Sequence, residues 1–276
     1  MSSMAAQPQS GRPILVVRTL ADLVESIGEV AAFALQVLAG VFRAAGRNTL
    51  APVFYAVGYR SVPVVAVTGL FIGMVLAEQA YAQFASLGMA TRLGSIVSMS
   101  VVRELGPVLA ATMLAGRVGS AMAAELATMR ITEQVDALAC LGVNPTQYLG
   151  APRFLACVLL IPLLTIVANF MGVVGGALVC VNVYHIDRHF YWQNMQGAVA
   201  MWDLVGGLIK PTVFGAAIAI VSCHRGLSSE PGAEGVGRAA TRAFVASFIA
   251  ILALDFFLAM LMNNLYDYFW PGTRTI

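Results

Sequence analysis

Five long apolar runs dominate the chain, and one amphipathic stretch precedes them. Within residues 14–47, Leu20, Leu23, Val24, Ile27, Val30, Ala31 and Ala34 recur at helical spacing. Arg18, Asp22, Glu25, Glu29, Gln36 and Arg43 fall on the other side. That division predicts a helix lying in a membrane interface, or alternatively one packed on a partner protein. The apolar runs cover Val62–Phe84, Leu93–Met129, Tyr148–Val183, Leu204–Ser222 and Ala239–Leu265, with loose ends. Crossing a bilayer takes roughly 20 apolar residues, so each run predicts a span. The second and third are longer and must tilt, kink or project. Gly106-Pro107 and Ile161-Pro162 are the kink sites, because proline removes a helix hydrogen bond. The expected fold is all-α: a polytopic membrane protein with an N-terminal interfacial amphipathic helix plus about five transmembrane helices. The tail and amphipathic helix occupy residues 1–50, and the membrane domain residues 51–276.

Composition agrees with this reading and excludes several functions. Hydrophobic residues make up 59% and charged residues 11%, against roughly one-quarter charged in a soluble domain. A net charge of +2 gives no reason to expect a nucleic-acid partner. Lys210 is the only lysine among sixteen basic residues, so no G-x-x-x-x-G-K-[ST] phosphate loop exists to hydrolyse ATP. Cys140, Cys157, Cys180 and Cys223 form no C-x-x-C pair and read as small buried hydrophobes, three of them in or beside spans. The polar N-terminal residues lack the apolar core of a signal peptide and are expected to stay in the cytoplasm.

Orientation follows from where the basic residues fall. With the N-terminus inside, Arg12, Arg18, Arg43, Arg47, Arg60, Arg130, Arg153, Arg225, Arg238 and Arg242 are cytoplasmic. Only Arg92, Arg188 and Arg274 lie outside, and Arg103, Arg117 and Lys210 are left at membrane depth. Five spans put the C-terminus outside, where Tyr266, Tyr268, Phe269 and Trp270 suit an interfacial aromatic belt. Gly69 with Gly73, Gly172 with Gly176, and Gly116 with Ser120 predict close helix contacts.

The second run is unusual, because Arg103, Glu104, Arg117 and Glu125 lie in or beside it. An ionised side chain in hydrocarbon costs a few kcal/mol on the mildest scale, about 2.5 to 3.5. These residues must line a wet cavity or pair inside a bundle, and pairing is the expectation for Arg117 and Glu125. Lys210 and Asp255 are candidates for an ion pair between the fourth and fifth spans. His185, Asp187 and His189 have spacing a metal could use, but few further ligands accompany them, so a surface role is expected. No metal site is expected. His224, beside Arg225, is expected at lipid headgroups.

After the second run, Arg130 begins RITEQVDALACLGVNP, which ends at the breakers Gly142 and Asn144-Pro145. Ile131, Val135 and Leu138 form an apolar stripe, with Glu133, Gln134 and Asp136 on the polar side. The pattern predicts a short amphipathic helix, either docking a cytoplasmic partner or resting on headgroups.

RELGPVLAATMLAGRVGSAMAAELATMRITEQVDALACLGVNPTQYLGAPRFLA strongly resembles the signature region of the MlaE/YrbE permease family. TGLFIGMVLAEQAY (Thr68–Tyr81) and GVGRAATRAFVASFIAILALDFFLAML extend the resemblance over nearly all of residues 50–265. It implies the membrane subunit of an ABC system that moves phospholipids or related lipids between the membranes of double-membraned cells. The implied setting is the cell inner membrane, with the N-terminus cytoplasmic and the C-terminus periplasmic. Implied partners are a cytoplasmic ABC ATPase carrying ATP and Mg, an MCE-domain lipid-binding protein outside, and a second permease copy. The chain would then be no enzyme and would hold no cofactor of its own.

The resemblance also implies roles for particular residues. Thr132, Glu133, Gln134, Val135, Asp136 and Leu138 match the helix that couples to the ATPase, over Thr132–Leu141. Leu70, Phe71, Met74, Val75 and Tyr81 match a stretch facing the lipid cavity. Glu78 stands where the family more often has a neutral polar residue, and could contact a headgroup or pair with Arg103. Arg103 and Glu104 match a charged pair near the outer end of the second span. The competing function is a proton-coupled secondary transporter using Glu78, Glu104, Glu125 or Asp255 as carriers. Against it, no inverted repeat is detectable among five spans. A third class, an intramembrane hydrolase, lacks any G-x-S-x-G or H-E-x-x-H motif.

Overall fold

The computed structural model describes residues 12–41, 47–89, 92–198 and 201–269. Every regular element among them is helical. In chain order these are α1 (Arg12–Val41), α2 (Arg47–Val57), α3 (Val62–Ala85), α4 (Leu93–Ser100), α5 (Gly106–Leu114) and α6 (Ser120–Ile131). There follow α7 (Gln134–Cys140), α8 (Pro145–Leu178), α9 (Arg188–Ala198), α10 (Met201–Leu227) and α11 (Ala233–Phe269). Among the described residues, five stretches are long and apolar enough to cross a membrane: Leu50–Ala85, Leu93–Ile131, Pro145–Val183, Trp202–Leu227 and Ala233–Tyr266. Each contains one of the spans read from hydropathy and extends past it by a few residues to about a dozen. Because short connections join them, α7 marks one end of the bundle and α9 the other.

α8 is the central helix, flanked by α3, α10, α5, α2 and α1. Its approach to α3 depends on the paired small-residue motifs. A Cβ on Gly73 would stand 1.8 Å from the Gly172 carbonyl oxygen, and one on Gly175 would stand 2.1 Å from that of Leu70. Only glycine permits such an approach, which brings the two backbones into van der Waals contact. Around this seam Leu114, Ile161, Phe214, Ile218 and Ile251 form the dry interior. The opposite faces stay open: Phe71 and Val75 on α3, and Phe256, Phe257 and Met260 on α11, are exposed.

The second span runs through two π-helical turns, Val101–Leu105 and Ala115–Gly119. Pro107 explains the first. Lacking an N–H, it cannot donate to the Arg103 carbonyl one turn back, and the Gly106 N–H bonds the Val101 carbonyl instead. The disruption expected at Gly106-Pro107 therefore takes the form of a π turn. α8 continues as helix through both Pro152 and Pro162, so Ile161-Pro162 does not end it.

α1 docks its C-terminal half on the bundle. Val37 is buried, and Gly40 lies against Gln147 of α8. Beneath it, His224 is buried edge-on to Phe33 at 5.4 Å between ring centroids, not exposed at a headgroup surface as expected. Its position, one turn from the end of α10 and under α1, is what the local sequence does not reveal. Arg12 and Arg18 lie in α1, while Arg43, Trp270 and Arg274 fall outside the described residues.

Candidate functional site

At the α9 end, the first π turn presents Arg103 and Glu104 to α10. They do not bond each other. Arg103 Nε donates to Asp203 Oδ1 at 2.6 Å, and Lys210 Nζ donates to Glu104 Oε2 at 2.6 Å. Asp203 and Lys210 are seven residues apart, two turns along one face, so two adjacent long side chains reach both. Lys210 also lies 3.1 Å from Asp255 Oδ1 on α11, an ionic contact without hydrogen-bond geometry. The Arg103 carbonyl that Pro107 leaves free is 3.4 Å from Lys210 Nζ. The expected Lys210–Asp255 pair is present, within a larger network of two cations and three carboxylates. Arg103, Glu104, Asp203 and Lys210 line a cavity of about 330 Å³ walled by Trp202, Met262 and Tyr266.

Further along the second span, Arg117 and Glu125 take different partners. Glu125 Oε2 pairs with Arg153 Nη2 at 2.9 Å, and Arg117 donates to the Ser61 hydroxyl. Glu125 is paired as expected, but at the edge of the bundle: its side chain is 62% exposed while Arg153 is buried. Arg117 instead meets a neutral oxygen. Arg153, counted with the cytoplasmic basic residues, is buried in α8 and also donates to the Leu149 carbonyl at 2.9 Å.

Glu78 does not pair with Arg103. It accepts a hydrogen bond from the Tyr184 hydroxyl, whose ring stacks on Tyr81. That bond pushes the Tyr184 phenol up to about 12. Leu70 and Met74 are half-buried, whereas Phe71, Val75 and Glu78 are exposed. Phe71 joins Thr68, Leu109, Met113, Phe244 and Phe248 around an open apolar hollow.

At the α7 end, the polypeptide leaves the second span through a left-handed residue, Glu133 (φ 58°). Thr132 caps the span by donating to the Thr128 carbonyl at 2.9 Å, so α7 begins at Gln134 and is shorter than the expected Thr132–Leu141. Val135 and Leu138 pack on Leu126, Leu149, Cys223 and Leu227. Glu133, Gln134, Asp136 and Leu141 face outward. Gly142, with φ 75°, ends the helix, and Asn144 caps α8 by accepting from the Thr146 and Gln147 N–H groups. Arg130 ties the start of this unit to the Leu227 carbonyl of α10. Cys140 on α7 is exposed, whereas Cys157, Cys180 and Cys223 are buried.

Sequence reasoning missed Asp203 and the inward position of Arg153. The signal for Asp203 was its same-face spacing from Lys210. Arg153 carries no local signal, because its carboxylate partner comes from another span. Near α9, Asp187 Oδ1 accepts from the His189 backbone N–H at 2.7 Å and so acts at a helix start.

Five apolar spans, an ionic network at one end and an exposed short helix at the other define a multi-span membrane protein. Residues 51–261 match the family model described as Permease MlaE. The chain therefore belongs to the MlaE permease family. It is 43% identical over 216 residues to a probable ABC transporter permease protein of Synechocystis, covering 78% of this chain and 82% of that one. It is 38% identical over 209 residues to the intermembrane phospholipid transport system permease protein MlaE of Haemophilus influenzae, covering 75% and 80%. It is also 38% identical over 213 residues to the chloroplastic protein trigalactosyldiacylglycerol 1 of Arabidopsis thaliana, covering 77% and 61%.

Proposed function

We propose that the chain is the permease subunit of an ABC transporter that moves phospholipids or related lipids between the inner and outer membranes. The observation that carries the reading is α7. It is an exposed helix with an acidic outer face, fixed to the bundle by Val135 and Leu138 and by short connections to α6 and α8. A rigidly held helix of this kind can pass a push from a partner into two spans at once. ATP and Mg belong to that partner, a separate cytoplasmic ATPase. An MCE-domain lipid-binding protein meets the opposite end. A second copy of the chain covers the open faces, and Leu70, Phe71, Met74, Val75, Glu78 and Tyr81 then border a lipid cavity between the copies. The α7 end is cytoplasmic and the α9 end periplasmic, in the inner membrane.

Proton coupling is disfavoured by the ion pairs. Glu104 and Asp255 are both engaged by Lys210, Glu125 by Arg153, and Glu78 by Tyr184. The test is the double charge reversal Glu133→Lys with Asp136→Lys, followed by co-purification with the ATPase and by phospholipid transfer between vesicles. Loss of assembly or transfer is expected. Normal assembly together with normal transfer would refute the coupling role of α7.

A further inference from the structure

A second cavity, of about 430 Å³, lies at the α7 end between α2, α6 and α8, away from the ionic network at the α9 end. Its walls include Val53 and Met122, and its polar lining is Arg60, Arg117, Glu125 and Arg153. Glu125 and Arg153 neutralise each other at 2.9 Å. Arg117 is half-buried, and its partner is the Ser61 hydroxyl, which itself donates to the Val57 carbonyl. Arg60 has only the face of Tyr55, 5.6 Å from its guanidinium carbon. Among the described residues, no carboxylate lies within ion-pair distance of Arg60 or Arg117. Two positive charges therefore remain uncompensated beside an apolar wall.

Arg117, half-buried at membrane depth, is expensive there without an anion, and a guanidinium's fork of N–H donors matches phosphate oxygens in pairs. We infer that this cavity holds the phosphate of an anionic membrane lipid, with Arg117 and Arg60 as its ligands. The acyl chains leave along Val64 and Val67, exposed three residues apart on α3 shortly after Arg60. A soluble phosphate shares the headgroup chemistry but gains nothing from Val53, Met122 or that valine face, so the lipid is the occupant. The inference does not rest on lipid transport, because a resident structural lipid would satisfy the same charges.

The test uses the full-length chain purified in detergent, with bound lipid counted by native mass spectrometry. Phosphatidylglycerol and phosphatidylcholine are each added, with and without millimolar inorganic phosphate. Retention of phosphatidylglycerol at several-fold the level of phosphatidylcholine is expected, undiminished by inorganic phosphate. Arg117→Gln should weaken phosphatidylglycerol binding about tenfold, the effect of one lost charge-assisted bond. Arg60→Gln, an exposed position, should weaken it several-fold and serves if Arg117→Gln does not fold. Equal retention of the two lipids, displacement by inorganic phosphate, or unchanged binding in a folded Arg117→Gln or Arg60→Gln variant would overturn the assignment.

Discussion

Replacing Lys210 by methionine tests whether the α9-end network holds the bundle together. Methionine keeps an unbranched side chain one atom shorter and removes the charge together with its N–H donors. The lysine side chain is 4% exposed, and the two carboxylates it serves differ: Glu104 is 50% exposed and Asp255 21%. Removing one partner of a buried pair costs about 3–5 kcal/mol, because the other charge stays behind unpaired. An exposed partner contributes only about 0–1 kcal/mol. Asp255, four-fifths buried on α11, therefore carries most of the cost, and Glu104 turns to solvent. A loss of about 3 kcal/mol follows for Lys210→Met. For a chain of this size that lowers Tm by at least about 6 °C. Thermal unfolding in detergent, followed by tryptophan fluorescence, measures it. The double variant Lys210→Met with Asp255→Asn should recover more than half of the loss, since no buried charge is stranded. Glu104→Gln alone should move Tm by no more than about 3 °C, as expected for a half-exposed pair. A shift below 2 °C for Lys210→Met, or no recovery in the double variant, would refute the reasoning.

Gly73→Ala should destabilise the protein by about 1–3 kcal/mol or more, because its Cβ would enter the Gly172 carbonyl oxygen at 1.8 Å. Gly237→Ala, with nothing within 4 Å of the added methyl, should be neutral or stabilising in the same unfolding assay. In the folded chain a maleimide should label Cys140 and spare Cys157, Cys180 and Cys223, which react only after denaturation; fast labelling of a second cysteine would contradict the packing of α8 and α10.

The spans were legible because hydropathy is a local property: twenty apolar residues in a row leave few alternatives. The C-terminal end of α7 was legible for the same reason, since Gly142 and Asn144-Pro145 act where they stand, whereas the left-handed turn at Glu133 that delays its start was not. Charge partners were not. Arg103 and Asp203 are 100 residues apart, and Lys210 and Glu104 are 106 apart. Such pairs depend on which helices touch, and that depends on glycine seams whose partners the sequence does not label. Lys210 with Asp255 was the exception, because both are isolated charges in consecutive apolar spans. Arg153 was counted with the cytoplasmic arginines from its place near a turn; its burial was not legible, because α8 starts at Pro145 and carries it two turns along a packed helix to meet Glu125 of another span.

The second span explains why four charges survive in a membrane helix. Its charged side chains fasten it to three neighbours: Arg103 and Glu104 to α10, Arg117 to Ser61 before α3, Glu125 to α8, and Arg130 to the end of α10. Apolar packing alone lets a helix rotate or slide between similar neighbours in lipid, because hydrocarbon tails compete on equal terms with leucine. Directional bonds at four levels remove that freedom. The two π turns supply the offsets that let a single helix face three partners along its length. Because α7 is joined to the last turn of this span by Thr132 and Glu133, a displacement at α7 meets the Arg130 anchor first. To travel further it must carry α10 along, since α10 is bonded to the same span at both ends.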